Sequence, residues 1–203
     1  MNRFRPNIFK NLIMILMVLF VIVGLNLFIE KYLEKNNENL TKIEIGGNFI
    51  LTQSNNKEFK SKELIKKKLI YFGYTFCPDV CPIDLVELSS IYSQHTELIN
   101  YIQPIFISVD PNRDTPQVIS NFLENFDSSI IGLTGNEEQI NKIKKKFKIY
   151  VSANLDESEE DFYTINHTSI FYLVDENDKY LKHFSRKNFS DEFTSYLINQ
   201  GII

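Results

Sequence analysis

Residues 12–29 (LIMILMVLFVIVGLNLFI) are apolar on every helical face, and Asn26 is the only strongly polar side chain among them. At ~1.5 Å per residue the run spans about 27 Å, close to the ~30 Å hydrocarbon core of a bilayer. The pattern predicts a transmembrane anchor over residues 12–30. Arg3, Arg5 and Lys10 precede it, while Glu30, Lys31, Glu34 and Lys35 behind it nearly cancel. Positive-inside asymmetry then keeps residues 1–11 cytoplasmic and sends the rest across. A cleaved signal peptide would want small residues where Glu30-Lys31-Tyr32 stand, so the segment reads as an uncleaved anchor. Eleven residues ahead of the span leave no room for a mitochondrial transit peptide. A single-pass protein of a bacterial inner membrane, with its domain in the periplasm, is the simplest placement.

Residues 31–42 are polar, lack apolar periodicity and read as a tether. From residue 43 to 203 the pattern is that of a folded domain. Gly47–Gln53, a polar turn and Glu58-Phe59 predict a small hairpin. Leu69–Tyr74 and Ile102–Val109 are continuous apolar runs, expected of strands buried on both faces. Leu85–Leu98 has helical spacing. Asp114-Thr115-Pro116-Gln117 reads as a helix start with Asp114 as cap, the helix running to about Phe126. Ile130–Leu133 predicts a strand, Glu137–Phe147 an amphipathic helix, Ile170–Val174 and Tyr180–Phe184 a hairpin, and Phe189–Ile198 a closing helix. The alternation implies an α/β fold with a partly parallel, mixed central sheet.

Apolar residues make up 43% and charged residues 24%, which excludes a wholly disordered chain and a multi-span membrane protein. The net charge of −4 gives no reason to expect nucleic acid as a partner. Setting residues 1–30 aside leaves −6 on the exported part. The lysine runs 66–68 and 144–146 read as solvated faces, since acidic residues surround them.

The two cysteines, Cys77 and Cys81, lie in Tyr71-Phe72-Gly73-Tyr74-Thr75-Phe76-Cys77-Pro78-Asp79-Val80-Cys81-Pro82, which leaves a buried strand and enters a helix. Strand ends of this kind are where open α/β sheets bind ligands. Either Cys77 caps the helix with Pro78 in its first position, or Cys81 caps it and Pro82 opens it. In both cases the thiols are neighbours, close enough to share a soft metal ion or to form a disulfide. All three methionines precede or lie within the anchor, so no thioether is available beyond it, and the histidines are the candidates for a third ligand. His95 falls on the exposed part of a helix, and His183 near the end of an edge-like strand. His167 is expected in a loop at a strand end, just before Ile170–Val174, where it could face the cysteines or bond Asn166 or the backbone.

At these motifs the chain resembles the Sco/SenC family of membrane-anchored, thioredoxin-fold copper proteins. The likeness runs from Gly46 to the C-terminus. Besides the cysteine segment it is carried by Ile107-Ser108-Val109-Asp110-Pro111-Asn112-Arg113-Asp114-Thr115-Pro116 and by His167-Thr168 with Tyr172-Leu173. The resemblance implies a thioredoxin-like fold and one copper ion, Cu(I) with Cu(II) as the alternative, held by Cys77, Cys81 and His167. It implies a metallochaperone that supplies copper to, or keeps reduced, the dinuclear copper centre of cytochrome c oxidase subunit II, and a copper donor protein upstream. One position departs from the family pattern: Asn166 stands before the histidine where the family usually has Asp. That removes a carboxylate able to orient the imidazole. Asp110 is expected to shape a turn or meet Arg113, and neither it nor Asp114 is assigned to catalysis.

The competing function is enzymatic: a thiol–disulfide oxidoreductase or peroxide reductase cycling Cys77 and Cys81 through a disulfide. Thioredoxin-like redox motifs are C-x-x-C, however, and this one is C-x-x-x-C. No proline follows Pro116 to supply the proline loop of thioredoxin relatives. His167 stands there instead, which favours metal binding over catalysis.

Overall fold

The computed structural model describes residues 6–39, 44–155, 163–167 and 169–203, with some of these, His167 among them, described by backbone alone. The chain divides into two units, residues 1–43 and 44–203. In the first, helix α1 (Pro6–Asn39) contains the stretch Lys10–Lys31, long and apolar enough to cross a membrane. The helix runs on through residues 31–39, within the polar stretch read as a tether. A polar segment without an apolar face can still propagate a helix already nucleated by the run before it.

In the second unit, strand β3 (Lys67–Gly73) is apolar on both sides because both sides are covered. It pairs in parallel with β4 (Ile102–Ser108), which pairs in parallel with β5 (Ile131–Thr134). On its other edge β3 runs antiparallel to β8 (Ile170–Val174), and β8 to β9 (Tyr180–Ser185). The hairpin of β1 (Ile50–Gln53) and β2 (Glu58–Lys60) completes a seven-stranded mixed sheet in the order β2-β1-β5-β4-β3-β8-β9.

Alternate residues of β3 feed two different cores. Tyr71 stacks with Phe106 of β4 and Phe171 of β8, at ring-centroid distances of 6.4 and 4.7 Å. Phe106 meets Phe122 of α3 (Pro116–Leu123), and Phe171 lies flat on Phe189 of α5 (Phe189–Asn199) at 3.8 Å. On the opposite face, Phe72 packs at 5.2 Å against Phe147 of α4 (Glu137–Phe147), which also meets Phe49 and Tyr172. Each buried aromatic pair contributes about 0.5–1.5 kcal/mol beyond its burial.

At the N-terminal end of β3 a fully buried ion pair joins Lys68 Nζ to Asp178 Oδ1 at 2.9 Å. Ser61 Oγ donates to the other carboxylate oxygen at 2.6 Å and accepts from Phe49 N, tying the first hairpin to the β8–β9 turn. Gly46 closes against the same turn. Its φ is +95°, and a Cβ there would stand 2.6 Å from the Asp178 carbonyl oxygen, so no larger residue fits without moving the backbone.

Strand and helix positions follow the sequence pattern closely, with four differences, the first being that the helical spacing of Leu85–Leu98 divides between a helix over Val80–Gln94 and a 3₁₀ turn over Thr96–Asn100. Helix α3 ends at Leu123, short of Phe126, and Asn125 and Phe126 form a following turn. Thr115, not Asp114, is its N-cap: Thr115 accepts from Val118 N, which frees Asp114 for another role. A second, two-stranded sheet, β6 (Val151–Leu155) with β7 (Tyr163–His167), precedes β8 where a loop was expected.

A candidate metal centre at the end of the central strand

Beyond Gly73 the chain turns through Tyr74–Cys77 and enters α2 (Val80–Gln94). The N-cap is Asp79, so neither cysteine caps the helix. Cys77 lies in the turn ahead of it and Cys81 in its first turn. Pro82 follows inside that turn, where its missing amide hydrogen would have had no intrahelical partner anyway. The Cys81 amide donates to Cys77 Sγ at 3.4 Å. No disulfide joins the two sulfurs.

Cys81 is wholly buried and Cys77 half-buried. Hydrogen bonding to the Cys77 thiol, and then burial, push the Cys81 thiol up from its ordinary range. Gly73 makes the close approach possible: a Cβ there would stand 3.0 Å from Cys81 Sγ and 2.8 Å from Phe106 Cε2. Behind Cys81, Tyr71 donates to the buried Asp84 at 2.9 Å, and Arg186 donates to the other Asp84 oxygen at 3.0 Å. The inner wall of the site is thus a fixed polar chain, not loose packing.

The second motif braces the cysteine loop from the side. Thr75 N and Thr75 Oγ1 both donate to Asp114, at 3.0 and 2.6 Å, and Ser108 Oγ donates to the same carboxylate. Arg113, held by Asp110 as expected, lies over the Phe76 and Tyr74 rings at 5.0 and 5.8 Å. Sequence reasoning missed this bracing, since an acid ahead of Thr-Pro also reads as a helix cap. It also missed Tyr74, whose hydroxyl accepts from Ile165 N of β7 at 3.2 Å.

That bond brings the histidine strand to the cysteine loop. Ile165 is two residues before His167, the last residue of β7, paired with Val151. Three residues later Ile170 opens β8, whose Phe171 pairs with Tyr71 near the C-terminal end of β3. His167 is therefore a strand terminus rather than a loop residue, at the sheet end from which the cysteines emerge. The imidazole itself, and Thr168, lie outside what the structure describes. His95 is the C-cap of α2, and His183 sits exposed on edge strand β9 beside the Tyr180 hydroxyl. Among the described side chains no cluster of three or more His, Cys, Asp or Glu could hold a metal ion.

A mixed sheet of this order, with a thiol pair where its central strand runs into a helix, defines a thioredoxin-like domain in which one thiol of the pair, Cys77, is partly open to solvent. The SCO1/SenC family model matches residues 37–199, and the chain belongs to that family. An SCO2-like protein of Rickettsia prowazekii is 43% identical over 145 residues, covering 70% of each chain. The structure of Bradyrhizobium japonicum ScoI with copper bound superposes with a TM-score of 0.69 at 37% identity, covering 76% of this chain and 98% of that one. BsSco, a member of the Sco family of cytochrome c oxidase assembly proteins in which a disulfide switch has been identified, shares the fold. It has a TM-score of 0.60 at 24% identity, over 77% and 92% of the two chains.

Proposed function

We propose that Cys77, Cys81 and His167 bind one copper ion, as Cu(I) in the transferring state, and that the protein delivers it to the dinuclear copper centre of cytochrome c oxidase subunit II. The observation that carries this reading is the meeting of three chain segments at one sheet end: Cys77 and Cys81 in contact, and β7, which ends at His167, bonded to Tyr74 of the same loop. Two sulfurs and an imidazole suit a soft monovalent cation and leave a side open for transfer. The copper-bound ScoI relative and the family's place in cytochrome c oxidase assembly support it. In this reading Lys10–Lys31 anchors the chain in a bacterial inner membrane and the domain works in the periplasm.

The chain's own residues have defined tasks. Asp114 fixes Thr75 and so the entry to the loop. Gly73 lets Cys81 Sγ sit against the strand. Tyr74 couples the loop to the histidine strand. Copper, when bound, supplies the electrophile for which both thiols give up their protons, so loading is tied to pH and to thiol oxidation.

A second reading, thiol reduction of the oxidase site through a Cys77–Cys81 disulfide, is favoured by the closeness of the two cysteines, the Cys81 amide donating to Cys77 Sγ, and by the disulfide switch of BsSco. One experiment separates the two. The full chain is purified in detergent under reducing conditions and titrated with Cu(I) against a chromophoric chelator. One tightly held copper, lost in Cys81→Ser and weakened at least tenfold in His167→Ala, is the expected result. Disulfide turnover that is indifferent to His167, without stoichiometric copper, would establish the second reading instead.

A further inference from the structure

Residues 44–203 carry sixteen Lys and Arg, and eleven of them fall in two short segments, 57–68 and 142–148, which hold two of the unit's twenty-three carboxylates. Each lysine run alone reads as a solvated face. The fold joins them. Lys60 and Lys62, at the end of the first hairpin, face Lys142 and Lys146 of α4 across a groove with Ile50 in its wall. Lys60 is the one of these offset by carboxylates, Glu58 and Glu63, both at 3.3 Å. Two residues along the chain from Glu63 of the groove wall, Ile65 is 83% exposed, in the turn leading into β3. An otherwise acidic domain thus has one cationic side with aliphatic side chains set in it.

The position of this side in the chain indicates what covers it. Gly46 N donates to Lys146 O at 3.0 Å, so the domain begins at the groove. From Lys31, the end of the apolar span, to Glu44 there are twelve intervening residues, at most ~40 Å of chain even if fully extended. A surface tethered that closely meets the bilayer at high effective concentration. Lysines flanking exposed aliphatic groups are complementary to anionic headgroups over an acyl boundary. Ser61 and Asp178 mark the same end of β3, whereas the cysteines leave its other end, about 23 Å along a strand of seven residues.

We propose that the Lys60–Lys62–Lys142–Lys146 face docks on an anionic phospholipid surface and so holds the cysteine loop at the domain's membrane-distal end. The proposal rests on the anchor reading of Lys10–Lys31 and is independent of the metal reading.

The test uses the full chain in nanodiscs, either of phosphatidylcholine alone or with phosphatidylglycerol added, and follows lysine acetylation by mass spectrometry. In anionic discs at low salt, Lys142 and Lys146 should label about fivefold more slowly than in neutral discs. Lys187 should label alike in both, and high salt should erase the difference. Lys142→Glu, at an exposed position of this face, should abolish the protection of Lys62. Equal labelling in the two bilayers, or protection that persists at high salt, overturns the proposal. So does protection in neutral discs produced by soluble inorganic phosphate, which would mark a small-anion site instead. A chain that elutes apart from the discs refutes the anchor, and the docking with it. Copper stoichiometry on the same samples reports on the metal site alone.

Discussion

Thr75 and Asp114 are joined twice, amide to Oδ2 at 3.0 Å and hydroxyl to Oδ1 at 2.6 Å, so the loop that carries Cys77 is fastened to the chain beyond β4. Asp114→Ala would leave the Thr75 amide and two hydroxyls without their acceptor. A loss of about 1–3 kcal/mol in urea unfolding is expected, with weaker copper retention because the loop is no longer fixed.

The same carboxylate gives a pH dependence of known sign. Burial pushes Asp114 up from its ordinary value of 3.8, against the opposing hydrogen bonds from Ser108 and Thr75. The folded state then holds this proton more tightly than the unfolded chain does. The resulting stability is fully present below about pH 3.8 and is lost as pH rises through the folded value. The margin of the native protein over Asp114→Asn should therefore narrow from acid to neutral pH in paired unfolding curves. A margin that widens would contradict this.

Gly73→Ala tests the packing around Cys81. The new methyl carbon would stand 2.8 Å from Phe106 and 3.0 Å from both Tyr71 and Cys81 Sγ. The ring edges are held by the sheet on both sides, so the helix turn bearing Cys81 has to give. A cost of about 1–3 kcal/mol is expected from overpacking, together with weaker Cu(I) binding in the chelator titration. Unchanged binding would mean that the sulfur can shift without penalty.

The elements legible in the sequence were those with strong local signals. Helix α4 matched its prediction end to end because Asn136 and Gln139 form a capping box and its apolar spacing is clean. Strand β8 is a short apolar run buried against neighbours on both edges, and it too was read correctly. The β6–β7 hairpin escaped notice because its strands (VSANL and YTINH) have weak alternation, and pairing between distant segments is what defines them. For the site, the sequence placed the cysteine pair at the end of the central strand, and the reading of His167 as its partner stays a proposal. It could not disclose the bracing by Asp114, Tyr74 and Asp84, which depends on partners up to ninety or a hundred residues away.

The buried pair of Lys68 and Asp178 should be far more sensitive to single than to double replacement. Asp178 has φ +63°, a conformation Asn tolerates. Asp178→Asn keeps an acceptor for Ser61 but leaves the Lys68 cation in an interior without its counter-charge. That should cost about 3–5 kcal/mol. Adding Lys68→Met removes the stranded cation and should recover most of the loss, since an apolar chain of similar length fills the same space. Urea unfolding of the two single variants and the double variant measures the coupling. Additive losses would show that the pair is not acting as a unit.

The two thiols should also differ in reactivity. Cys77 is partly open to solvent beside the exposed Phe76 ring, whereas Cys81 is fully enclosed beneath Gly73 and Phe106. Cys81 is further disfavoured as a thiolate, through its hydrogen bond with the Cys77 thiol and through burial. Alkylation proceeds through the thiolate, so both access and charge point the same way. Iodoacetamide should modify Cys77 at least ten times faster than Cys81 in the folded, copper-free chain, and unfolding in urea should bring the two rates together. Peptide mapping at timed quenches reads both rates at once. Comparable rates in the folded chain would require Cys81 to reach solvent through opening of the first turn of α2. In that case the sulfur presented for copper exchange would be the mobile Cys81, and the site would open from the helix side rather than from the Cys77 loop.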